Sequence, residues 1–153
     1  MVAGCTLDET GTPSVQMSGW LTTSGGGAAI GQVEVDSRNI DLALSHHNSP
    51  AALKTVCALL TTDAQTAIGN LPTPDNQLTN DLNTAYEDAA TAGNNCYNGS
   101  DGSQSLLRKS AAERAQLGPL LATAVDRIVF ITGHTPSTST TLATGDNNDP
   151  FGA

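Results

Sequence analysis

Between residues 50 and 96 the apolar side chains recur at spacings of three and four, and each of the two runs carrying them contains one cysteine. Leu53, Val56, Cys57, Leu60, Ala64, Ala67 and Ile68 fall on one helical stripe, and Leu78, Leu82, Ala85, Ala89, Ala92 and Cys96 on another. The starts are marked too. Ser49 can cap a helix whose first residue is Pro50. Thr73 can do the same before Pro74, with Asp75 placing negative charge in the positive first turn. The pattern predicts helices over about 50–70 and from Pro74 through Cys96. A short turn joins them, so they should be antiparallel neighbours.

That arrangement turns both cysteines inward on facing stripes, and a disulfide Cys57–Cys96 is expected. It would close a loop of about 39 residues and contribute roughly 4 kcal/mol in the chain-entropy account. Helical rise sets a condition. Cys57 lies about 13 residues before the end of its segment and Cys96 about 20 after the start of the next, an axial mismatch of about 10 Å. A bent or shifted helix end is required.

Two more segments complete the reading. Residues 104–132 place Leu117, Leu120, Leu121, Ala124, Ile128 and Ile131 on an inner face, with Gly133 as a stop and Pro119 predicting a kink or break. Residues 28–47 place Val33, Ile40 and Leu44 on one stripe. "VEVD" and "IDLALS" also alternate, so a hairpin turning at Ser37-Arg38-Asn39 is the rival reading. Helix is favoured because Ala28, Ala29 and Ala43 suit one. The expected fold is all-α: an up-down antiparallel bundle of four helices over 28–133, with a flexible tether at 1–27 and a disordered tail at 134–153, both rich in Gly, Ser and Thr.

The core of such a bundle is thin. Aromatic residues are 3% of the chain, and alanine contacts bury little area each at roughly 25 cal/mol per Å², so a cross-link has much to add. The formal net charge of −9 with six Lys and Arg argues against nucleic acid as a partner, because phosphate affinity comes from cationic side chains. No uninterrupted apolar run reaches the roughly 18 residues of a membrane span.

Three cysteines leave one over. Val2-Ala3-Gly4-Cys5 resembles the lipobox of bacterial lipoproteins, in which an aliphatic and two small residues precede a cysteine that is acylated and becomes the mature N-terminus. The resemblance implies lipidation at Cys5, a membrane surface reached through the lipid anchor, and a native start upstream of Met1, since no signal stretch precedes Val2. The stretch "LPTPDNQLTNDLNTAYEDAATAGNNCYNG" with "RKSAAERAQLGPLLATAVDRI" is similar to small exported helical proteins of high-GC Gram-positive bacteria, which implies an extracytoplasmic location, secreted or at the cell surface, and carries no catalytic residue.

A search for chemistry finds little. His46 and His47 are the candidate metal ligands, but adjacent helical residues point apart, and a solvated turn is the simpler reading. The Glu-x-x-His pairs of di-iron bundles are missing, as are the spacings of calcium and phosphate loops. Glu87-Asp88 beside Tyr86 is a carboxylate pair on a solvated face. Tyr97-Asn-Gly-Ser-Asp101 matches the Tyr-x-x-x-Asp element of type VII secretion substrates, but Trp20 is followed by Leu21 and Thr22 where that signal has Trp-x-Gly. The expectation is a non-enzymatic protein without cofactor that binds or scaffolds an envelope component. The alternative is an extracellular carrier of a small ligand or metal.

Overall fold

The computed structural model describes residues 11–136. Cys5 and most of the C-terminal tail lie outside these. Among the described residues the chain is all-α, with five helices: α1 (Pro13–Thr22), α2 (Gly26–Ser45), α3 (Pro50–Ile68), α4 (Asn76–Gly99) and α5 (Gln104–Thr132). The count of four is corrected by α1, inside the stretch read as tether. Thr12 accepts a hydrogen bond from the Val15 amide and Pro13 takes the first turn, the signature that also opens α3 at Ser49-Pro50. Met17 and Trp20 of α1 are buried. The Trp20 indole donates to the Asn70 carbonyl at 2.9 Å, and its ring lies so close to Gly26 that a Cβ there would fall 2.5 Å from it. The chain reverses into α2 at Gly25, whose φ of 76° suits a residue without Cβ.

The helix over 28–47 is settled against the hairpin: α2 runs unbroken, with Val33 and Ile40 fully buried. Helices α2 to α5 pack on their chain neighbours along three seams. Residues 25–32 of α2 and its N-cap lie against 63–70. Lys54 of α3 reaches Asp101 beyond the end of α4, while Thr61 faces Ala90 and Gly93. On the next seam Asp75 meets Arg127, and Asn95 meets Glu113. α1 touches α2 and α5.

The start of α4 is two residues later than the sequence suggests. Asp75, not Thr73, is the cap, accepting from the Leu78 amide at 2.8 Å. Thr73 is buried and donates to the Asp75 carbonyl. α5 has the expected bounds, ends at Gly133 and stays helical through Pro119, so of the expected kink or break the break is corrected. Pro119 cannot donate to the Ala115 carbonyl, but both residues are exposed and water can serve that oxygen; Gly118 offers no Cβ to the proline ring. α5 is also long and apolar enough to span a membrane by length and composition, with mean hydropathy 1.2, while Ser110, Arg114, Leu117, Leu121, Ala124 and Ile128 form its buried stripe.

Candidate functional site

The two stripe cysteines meet. The Sγ atoms of Cys57 and Cys96 are 1.94 Å apart, disulfide bonding distance, with Cα atoms 5.5 Å apart. The axial mismatch is met by a shifted helix start. Cys57 lies 11 residues before Ile68 and Cys96 20 after Asn76, an offset of nine residues or about 13 Å. The connection 69–75, with seven residues at up to about 3.3 Å each, is long enough to climb it. α4 thus begins well beyond the end of α3, and its first turn is held instead by α5: Arg127 grips Asp75 with Nε–Oδ1 at 3.0 Å and Nη2–Oδ2 at 2.7 Å. The guanidinium, then the Leu78 amide, hold the Asp75 carboxyl below its usual range against the opposing effect of burial.

The surroundings of the sulfurs are inert. Both cysteines are fully buried, and the Ser100 hydroxyl beside them donates to the Cys96 carbonyl at 2.8 Å. No base approaches, so a Cys–His nucleophile is not assembled among the described residues. His46 and His47 are exposed at the end of α2, His134 is exposed after α5, and no group of three or more His, Cys, Asp and Glu converges among the described residues. Tyr86 is buried with its hydroxyl unpartnered, and burial pushes its pKa up, while Glu87 is exposed. The three do not form an acid–base set. Tyr97 and Asp101 share one partner, Lys54, whose ammonium lies 5.5 Å from the Tyr97 ring and 2.7 Å from the Asp101 carboxylate.

Sequence reasoning missed two polar features. The first is Arg114. It sits on the buried stripe of α5 and reaches α2, donating from Nη1 to the Ser37 carbonyl at 3.4 Å and to Asp41 Oδ1, while Nε meets Ser110. The stripe itself, 110–114–117–121–124–128, carried the signal. The second is a carboxyl pair between α2 and α3. Asp36 is only 2% exposed. Gln32 Nε2 donates to its Oδ1 at 2.9 Å, and Oδ2 has no donor. Its neighbour across the seam is Asp63. Two ionised carboxylates cannot hydrogen-bond each other, but a proton held on Asp36 can be donated to Asp63. Burial, then that bond and the Asp63 charge, raise the Asp36 pKa to about 7, with Gln32 pulling the other way. Asp63 and Gln32 also line an open groove of about 280 Å³ whose other walls are Gly25, Ala28, Ala29, Thr66, Ala67 and Asn70.

No protein-family model, curated protein or solved structure matches the chain.

Proposed function

We propose that the chain is a non-enzymatic, extracytoplasmic protein that binds or scaffolds a component of the cell envelope. Helices α2 to α5 form an up-down antiparallel bundle with α1 added at one end, and Cys5 carries a lipid anchor. The observation that carries this reading is the buried Cys57–Cys96 pair at bonding distance. Disulfides persist in oxidising compartments and are rare in the cytosol. An Ala-lined core also has more to gain from a cross-link than one packed with large side chains.

The test is location in the source cell. A tagged chain expressed from its own locus should fractionate with the envelope or medium, and its exposed Lys109 should react with an impermeant amine reagent on intact cells. Cys5→Ser should move the protein from membrane to medium. Retention in the cytosol with reduced thiols would overturn the reading.

The groove between α2 and α3 favours a second reading, a small-ligand carrier. At about 280 Å³ it lies near the lower bound of ligand sites, and it offers Gln32, Asp63 and Asn70 as polar contacts. Thermal shift with zinc, copper and small cationic amines separates the carrier from the scaffold.

A further inference from the structure

We propose that Asp36 and Asp63 form a proton-operated latch: one shared proton holds α2 against α3, and its loss places two like charges in the seam, parts the helices and widens the groove beside them. This inference is independent of where the protein resides or what it binds.

The geometry is specific. Asp36 lies on the buried face of α2, between the stripe residues Val33 and Ile40, so its carboxyl cannot swing into water while α2 is docked. One of its oxygens is satisfied by Gln32, and the other faces no donor unless the pair holds a proton. Asp63 is half-buried and lines the groove, giving the proton a route to solvent. The groups acting on Asp36 are Gln32 from its own helix and Asp63 from α3. α1 carries no charged residue. The α5 cation that reaches α2, Arg114, is bound to Ser37 and Asp41. Among the described residues the ion pairs of Lys54, Arg114 and Arg127 go to other carboxylates, and none joins a cation to Asp36 or Asp63; a proton can neutralise the pair.

The sign follows from linkage. The closed seam keeps the Asp36 proton up to about pH 7, whereas an opened seam releases it near the ordinary carboxyl pKa of about 4. Closed α2 thus binds more protons than open α2 between these values, so opening becomes easier as pH rises through the window and is constant above it.

The experiment is hydrogen exchange of the full chain at pH 5 and pH 8, corrected for intrinsic rates, with the carboxyl carbon of Asp36 followed by NMR. Protection of α2 amides should fall by on the order of 10- to 100-fold across the window, with α4 and α5 changing far less and the Asp36 resonance titrating near neutrality. Asp36→Asn mimics the protonated acid, since its amide can donate to Asp63 and its oxygen can accept from Gln32, and should show no such fall. Should that variant fail to fold, Asp63→Asn places a permanent donor opposite Asp36 and should shrink the fall, leaving only the part that burial of Asp36 imposes. A constant α2 protection in the wild type, an equal fall in either variant, or an Asp36 resonance titrating near pH 4 would overturn the latch.

Discussion

Gly93 of α4 packs directly on the backbone of α3, and a single methyl there tests how the two helices are held. A Cβ built at Gly93 would lie 2.3 Å from Thr61 Oγ1, 2.8 Å from the Thr61 amide nitrogen and 2.9 Å from the Cys57 carbonyl oxygen. The last two are backbone atoms, so rotating Thr61 does not clear the methyl. α3 must retreat by several tenths of an ångström at the turn that carries Cys57, next to the cross-link. Thr61 would also lose its bonds to the Cys57 and Ala90 carbonyls, 3.3 and 3.5 Å long. Overpacking of this kind costs about 1–3 kcal/mol, occasionally more. The higher helix propensity of alanine returns up to about 1 kcal/mol. Gly93→Ala should therefore lose about 1–2 kcal/mol net, a fall in Tm of roughly 3–8 °C for a domain of this size. Gly19 of α1 is the control: nothing lies within 4 Å of a Cβ there, and Gly19→Ala should be neutral or gain up to about 1 kcal/mol. Urea and thermal unfolding followed by circular dichroism read both. A Gly93→Ala protein as stable as the wild type, or one that tracks Gly19→Ala, would refute the close packing of α3 on α4.

Removing both sulfurs, Cys57→Ser with Cys96→Ser, should cost about 4 kcal/mol from loop closure alone, read as a lower urea midpoint that reductant no longer changes. Arg114→Ala removes the α5–α2 bridge and leaves the Ser37 carbonyl and Asp41 without their cation; a loss of about 1–3 kcal/mol is expected by denaturant titration. Asp75→Asn breaks the bidentate Arg127 pair while keeping a cap oxygen. Because the Asp75 pKa is lowered in the folded state, its contribution is present above about pH 4 and is lost as pH falls below it, so the variant should have a shallower acid limb. Asp36 acts in a different window and with the opposite sign: wild-type stability should decline from pH 4 to about pH 7, and Asp36→Asn should remove that decline and be the more stable protein at pH 8.

The legible part of the fold was the part written in helical periodicity. Every stripe residue named for α4, from Leu78 to Cys96, is buried, and on α3 Leu53, Cys57, Leu60, Ala64 and Ala67 are. Ser49-Pro50 and Gly133 fix their helix ends as read. α1 went unread because its composition, rich in Ser, Gly and Thr, outweighs two large apolar residues. Thr12-Pro13 offered the same start signal as Ser49-Pro50, and a lone tryptophan five residues before a run of glycines suited a ring packed on backbone. Arg114 and Asp36 were hidden by their chemistry. Charged residues on an acidic chain are read as solvated, yet both occupy stripe positions, and a buried charge there requires a partner that only the fold supplies. Asp63 and Asp41 come from other helices or turns of the seam, at a distance no local pattern reports. Why the Tyr86 hydroxyl is buried without a partner has no physical account in the contacts around it.

The most direct measurement is the redox state of the two interior sulfurs in protein taken from its source cell. The chain should be unfolded in denaturant without reductant, treated with an alkylating reagent and weighed intact. Cys57 and Cys96 should both resist alkylation, with peptides spanning residues 57 and 96 joined after digestion, and both should react once reductant is added. Alkylation of both sulfurs before reduction would contradict a cross-linked α3–α4 pair and, with it, the extracytoplasmic role built on that pair.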